Sequence, residues 1–154
     1  MLTLTLIGTL LSLFAQSAPP ANAACGALTP QEVTGLIGAA KPMAVTNSPG
    51  GSSCMFMNGN KMITVLVVDL VSTDAAKGQW EAKKRVAAAQ DVAGWPGAYL
   101  GTFETAKEHG ASVGVVSGKR FIEARVGDVS QKVADLGTKL IATMKTASGR
   151  MMAK

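Results

Sequence analysis

Asn58-Gly59 stands between two apolar runs, Cys54-Met55-Phe56-Met57 and Lys61-Met62-Ile63-Thr64-Val65-Leu66-Val67-Val68. Asn-Gly in that setting is the strongest short hairpin signal, because a type I′ turn needs positive φ at both central residues. The feature commits the chain to antiparallel pairing. A second hairpin joins residues 113–116 to 121–126 across Ser117-Gly118-Lys119. Its turn centres on either Ser117-Gly118 or Gly118-Lys119. In both cases Val113 and Val115 share a face with Ile122, Ala124 and Val126, while Phe121, Glu123 and Arg125 point the other way. Residues 98–104 read as a further strand, between the turns Gly94-Trp95-Pro96-Gly97 and Glu108-His109-Gly110.

Three helices frame these strands. Thr29-Pro30-Gln31-Glu32 is a capping box with proline at the first helical position. Leu28 and Val33 have staple spacing, Val33, Leu36 and Ile37 form the apolar face, and Gly38 and Pro42 end the helix. Ser72-Thr73-Asp74 caps a second helix over about 75–90, with Trp80 and Val86 among its apolar positions and Lys77, Lys83, Lys84 and Arg85 along it. A third helix covers roughly 129–145, with Asp128 placed to cap it. Its apolar residues Val129, Val133, Leu136, Leu140, Ile141 and Met144 recur at three- and four-residue steps. Residues 43–53 read as loop, and 148–154 as a flexible tail.

The order is α-β-β-α-β-β-β-α. It predicts an α+β domain over 24–147: a single antiparallel β-sheet of about five strands with helices packed on one face. A helix followed by strands occurs twice, a duplication too faint in sequence to be a repeat. Aromatic residues are 5% of the chain, so the core is built mainly from Val, Leu, Ile, Ala and Met.

The chain opens with an uncharged run over 2–15, short of the roughly 20 residues a membrane helix needs. Pro19-Pro20 and the small-x-small signal Ala21-Asn22-Ala23 follow. Together they predict a signal peptide over 1–23, cut after Ala23. An uncut N-terminal anchor is the alternative. Lipid attachment at Cys25 is a third reading, but Asn22 fits poorly three positions before that cysteine. Export carries the chain to a periplasmic or secreted, oxidising setting, where Cys25 and Cys54 pair. They close a loop of about 30 residues, worth about 3–4 kcal/mol. No stable transmembrane span remains after cleavage.

Three segments occur in order: Cys25-Gly26-Ala27-Leu28-Thr29-Pro30-Gln31-Glu32-Val33, Gly51-Ser52-Ser53-Cys54 and Gly94-Trp95-Pro96-Gly97-Ala98-Tyr99. The set resembles a group of small exported bacterial cell-envelope proteins, often lipoproteins, that carry a domain of unknown function. Their pattern is a cysteine before an L-T-x-x-E-V helix, an S-C strand, and a glycine turn with A-Y before the last strands. The resemblance implies an exported α+β domain with a Cys25–Cys54 bridge, and supplies no activity. The chain departs from the pattern in its weak lipidation signal and in Pro96-Gly97, where the group often has Gly-Asp.

Catalytic sets are sparse. His109 is the single histidine and sits in a Glu-His-Gly turn, where a solvated turn residue is the plainer reading. No G-x-S-x-G, H-E-x-x-H or phosphate loop occurs, and Asp69, Asp74 and Asp91 lie apart. Methionine is the oddity, at eight residues. With Asn58-Gly59 as a two-residue turn, Met57 pairs with Asn60 and Met55 with Met62, so Met55, Met57 and Met62 share one face. Three thioethers suit Cu(I), a soft ion. A three-residue loop would move Met62 to the side of Phe56. The plainer reading is methionine filling an irregular apolar surface.

Lys and Arg number 15 against 10 Asp and Glu, a net charge of +5. Outside the cytosol that balance points to an unknown protein or an anionic envelope component, with no nucleic acid. Trp95, Lys119 and Arg120 are the candidate contact residues, with the sheet face away from the helices. The leading expectation is an exported, non-enzymatic binding or adaptor domain of the cell envelope with no cofactor. The alternative is a methionine-based Cu(I)-binding periplasmic protein.

Overall fold

The computed structural model of the chain describes residues 21–105 and 109–152. Of the signal peptide expected over 1–23, residues 1–20 lie outside them. The elements run α1 (Pro30–Ile37), β1 (Pro42–Ser48), β2 (Gly51–Asn58), β3 (Lys61–Asp69), α2 (Thr73–Val86), β4 (Gln90–Asp91), β5 (Ala98–Glu104), β6 (His109–Ser117), β7 (Arg120–Gly127) and α3 (Val133–Met152). One antiparallel sheet of seven strands has the order β1-β2-β3-β7-β6-β5-β4.

The class is α+β, but the expectation of about five strands is corrected to seven. The added strands are β1 and β4. Every residue of β1 is exposed, so it has none of the apolar alternation that marks a strand. It is held by main-chain pairing to β2 within the stretch read as loop. The two residues of β4 pair with Tyr99 and Leu100 of β5.

The helices do not share one face. Val33, Leu36 and Ile37 of α1 and Leu136, Leu140, Met144 and Ala147 of α3 pack with Ile63, Val65, Val67, Val113, Val115, Ile122, Ala124 and Val126. That is the main core, and its sheet residues are those of the expected apolar face. The opposite face is also covered. Trp80 of α2 packs with Tyr99 and Phe121, flanked by Leu66, Val68 and Val116. Phe121 points away from the main core yet is fully buried, because α2 forms a second layer over it.

The two helix-then-strands runs, α1-β1-β2-β3 and α2-β4-β5-β6-β7, end in β3 and β7, which are antiparallel neighbours. A twofold relating them would have to stand perpendicular to the sheet and so keep both leading helices on one face. With α1 and α2 on opposite faces, the duplication extends only to strand order.

Local chemistry explains the ends of the elements. The Thr29 capping box is present, with Thr29 Oγ1 accepting from the Glu32 N–H at 3.3 Å and the Thr29 N–H donating to Glu32 Oε2 at 2.7 Å. The β2–β3 turn centres on Gly59-Asn60, not Asn58-Gly59, because Asn58 pairs with Lys61. Asn58 is engaged elsewhere: its side-chain amide donates to the Ile37 carbonyl at 2.8 Å, closing the end of α1. Gly59 then supplies the positive φ of the turn's first position, as a type II′ turn requires. The β6–β7 turn follows the same rule with Gly118-Lys119 at its centre.

The third helix starts later and runs further than expected. Asp128 caps no helix; its carboxylate takes the N–H and hydroxyl of Ser130 and the amide of Gln131. At the far end α3 continues to Met152, through the stretch read as a flexible tail. Ala147 and Ser148 are buried, and Arg150 forks onto Glu32 of α1 at 2.8 and 2.6 Å.

Cys25 and Cys54 are joined in a disulfide. Cys54 lies on the core face of β2, so the bridge ties residues 22–28 to the sheet beneath α1 and α3. Asn22 reinforces the tie, donating to the carbonyls of Thr46 and Ser53 and accepting from the Cys25 N–H.

Candidate functional site, a groove beside the second helix

Helix α2 covers only part of its sheet face, and the rest is open. Beside its C-terminal end lies a groove of about 590 Å³. That volume falls within the roughly 300–1,000 Å³ of small-ligand sites. The floor comes from β3 (Met62, Thr64, Leu66), β7 (Glu123, Arg125), β6 (Ser112) and β5 (Gly101, Phe103), and Lys83 and Val86 of α2 form the wall with Ala87, the residue that caps it.

Small residues make the groove. Gly101, Gly110, Ser112 and Gly114 alternate onto this face of β5 and β6. A Cβ at Gly101 would meet Ala87 Cβ and Ser112 Oγ, each at 2.9 Å. Gly101 thus lets the end of α2 sit close to the sheet. Tyr99 lies across Gly114 and Phe103 across Gly110, their cross-strand partners, so both rings lie low over the strands. The Arg125 guanidinium stacks over the Phe103 ring at 4.0 Å. Cation–ring stacking of this kind contributes roughly 0.5–2 kcal/mol.

The helix end that closes the wall is itself strained. Ala88 has φ +47°, the one positive φ outside glycine among the described residues. Its N–H donates to the Arg85 carbonyl at 3.1 Å, and that of Ala89 to the Lys84 carbonyl at 3.0 Å. This is a Schellman cap, with alanine where glycine is usual.

Charge in the groove is arranged around Glu123. Its carboxylate accepts from the Tyr99 hydroxyl at 2.8 Å and lies 3.4 Å from the Lys83 ammonium. Burial pushes the Tyr99 phenol well above its ordinary pKa, and the neighbouring Glu123 adds to the rise, so Tyr99 stays a neutral donor. The one acid of the groove is thereby paired with Lys83, and the lining keeps a net charge of +1, with Arg125 as the second cation.

The residues singled out in sequence fall into three places. Met57 pairs with Met62 across β2 and β3, while Met55 opposes Thr64, so the expected Met55–Met62 pairing is corrected by the shifted turn. Met55, Met57 and Met62 nonetheless lie on one face, the face that carries α2. Met43 of β1, paired with Met55, joins them there. Met43 went unnoticed because it fell in the stretch read as loop.

Trp95 is half-buried against the main core, with the Lys145 ammonium 5.8 Å from its ring centre. Lys119 is exposed at the hairpin tip. Arg120 is a structural clamp: it forks onto Asp69 at 2.6 and 2.9 Å and donates to the Met151 carbonyl at 2.8 Å. These three form no joint surface with the groove. The expected contact surface, a whole sheet face free of helices, is corrected: α2 packs over part of the face away from α1 and α3 and leaves the rest open. His109 opens β6 rather than sitting in a turn, with Nε2 3.8 Å from Glu104 Oε1.

Sequence reading missed the groove. Its available signals were the small residues Gly110, Ser112 and Gly114 at every second position of one strand and the aromatic Phe121 on a supposedly polar face. Among the described residues, no three or more His, Cys, Asp or Glu side chains gather where they could hold a metal ion. No described helix is long and apolar enough to cross a membrane. Comparison with protein-family models, curated proteins and solved structures finds no match to this chain.

Proposed function

We propose that the chain is an exported, non-enzymatic binding domain of the bacterial cell envelope, and that its groove takes a small anionic envelope component with an apolar body. The observation that carries this reading is the lining of the 590 Å³ groove. Arg125 supplies positive charge beside the Lys83–Glu123 ion pair, Ser53, Thr64 and Ser112 supply hydroxyls, and Met62, Leu66, Val86 and Phe103 supply apolar surface. An anionic head has polar partners there, while its carbon chain lies against the apolar wall. Net charge of +5 draws such ligands from a distance. Export is supported by the apolar leader, by the resemblance to exported envelope proteins and by the disulfide, which persists in oxidising compartments.

The test is titration of the purified protein with short-chain phosphate- and carboxylate-headed amphiphiles, followed by native mass spectrometry and calorimetry. Saturable binding at one site is expected. Thr64→Trp, which fills the floor, should abolish it with the unfolding midpoint unchanged, and Arg125→Ala should weaken it. Equal binding by wild type and Thr64→Trp would refute the groove as the site.

A further inference from the structure

We infer that the open end of the α2 face carries a binding site for a soft monovalent cation, Cu(I) or its analogue Ag(I), built from Met43, Met55, Met57 and Met62. This inference does not depend on the groove reading.

The backbone supplies the geometry. Met43 opposes Met55 across β1 and β2, and Met57 opposes Met62 across β2 and β3. Met55 and Met57 are two apart on one strand. All four therefore project from one face, as two cross-strand pairs sharing β2. Directly opposed residues hold their Cβ atoms about 4.5–5.5 Å apart, which long thioether side chains readily span. Two independent hairpin contacts thus place four methionines at neighbouring positions of one face, where the sequence suggested three.

The surroundings suit a soft ion. Met43, Met55 and Met57 line one depression of about 560 Å³, completed by Ala39, Ala40 and Lys41. No carboxylate lines it, so hard divalent cations find no oxygen ligand there. Thioethers favour Cu(I) and need no deprotonation, so binding is insensitive to pH. Met43 and Met57 are 53% and 54% exposed, leaving the sulfurs reachable from solvent. Burial in the core does not account for them: Met144 is the methionine that fills a gap there, at full burial.

A methionine surface could instead be an adaptable apolar contact for another protein. Leucine substitution separates the two, because leucine keeps apolar surface and removes the sulfur.

The experiment uses the full chain labelled with ¹³C at the methionine methyl groups. Ag(I) is titrated in first, then Cu(I) under a reductant with a competing chelator. Binding of one ion is expected, with the methyl signals of Met43, Met55, Met57 and Met62 shifting and those of Met144, Met151 and Met152 unmoved. The pair Met55→Leu and Met57→Leu should weaken the ion by about tenfold or more while leaving the unfolding midpoint in place. Three outcomes would overturn the inference: no methyl signal moves, only those of α3 move, or the double leucine variant binds as tightly as wild type.

Discussion

Replacing Asp128 with asparagine tests how one buried carboxylate fastens three elements together. Asp128 is 1% exposed at the end of β7. Its Oδ1 accepts the Ser130 N–H at 2.9 Å and the Ser130 hydroxyl at 2.6 Å. Its Oδ2 accepts the Gln131 amide at 2.6 Å and lies 3.3 Å from the Lys61 ammonium of β3. Gln131 also donates to the Leu36 carbonyl in α1. Burial alone would raise the Asp128 pKa. The donors from Ser130, Gln131 and Lys61 outweigh it and hold the group at about 2, against 3.8 for an ordinary aspartate.

Each pH unit between those values is worth about 1.4 kcal/mol, so the ionised group stabilises the fold by about 2 kcal/mol at neutral pH. Because the folded pKa is depressed, this contribution is complete above about pH 4 and is lost as pH falls towards 2. Asparagine preserves the acceptor for Ser130 but turns an N–H₂ towards Gln131 and Lys61, both donors. Urea unfolding of wild type and Asp128→Asn should therefore differ by at least about 2 kcal/mol at pH 7 and pH 5. At pH 3 the gap should narrow by roughly 1 kcal/mol. A gap that stays constant from pH 7 to pH 3 would refute the reasoning, since other titrating groups are common to both proteins.

Other perturbations have equally definite signs. Replacing both Cys25 and Cys54 with alanine should cost about 3–4 kcal/mol, from the loop closed over a separation of 29 residues, and reductant should lower the wild-type melting temperature likewise. An unchanged melting temperature would contradict it. Ala88→Gly should stabilise by about 0.5–1 kcal/mol in chemical denaturation, where glycine at an ordinary helix position would destabilise by a similar amount. Loss of stability there would show that the positive φ carries no strain. Glu32→Gln keeps an oxygen for the Thr29 N–H of the capping box but removes the charged fork with Arg150, and should cost about 1 kcal/mol at pH 7. Burial opposes ionisation of Glu32, but Arg150 and Thr29 hold its pKa below the ordinary 4.5, so the cost should fade as pH drops below that value in the same assay.

The parts of the fold legible in sequence are those specified by neighbours along the chain. Thr29 and Glu32 form their box within one helical turn, and Gly118 serves a turn whose strands flank it. The parts that were not legible depend on partners far away. Asn58 leaves the turn because the Ile37 carbonyl needs a donor, and the register around Met62 follows. Residues 148–152 read as tail because Arg150 finds its partner 118 residues earlier. The second layer was hidden because α2 buries only Ala76 and Trp80 and shows lysine and arginine elsewhere. The groove was hidden for a related reason: it is a shape left by missing side chains at Gly101, Gly110 and Gly114, and periodicity reports only the side chains that are there. The methionine face was legible from alternation, though without Met43, since β1 carries no pattern of its own.

That patternless strand has a consequence for the molecule in company. A border strand offers a row of unsatisfied amides and carbonyls on which an identical chain can dock, and long smooth borders of this kind seed fibres. Here the row is broken twice: Pro42 has no amide hydrogen, and Val45 is an extra residue between Ala44 and Thr46 that bends the strand out of line. The sheet is therefore a poor template for further copies of itself. Until the Cys25–Cys54 bridge closes, that interruption keeps the unclamped border of one copy from pairing with another.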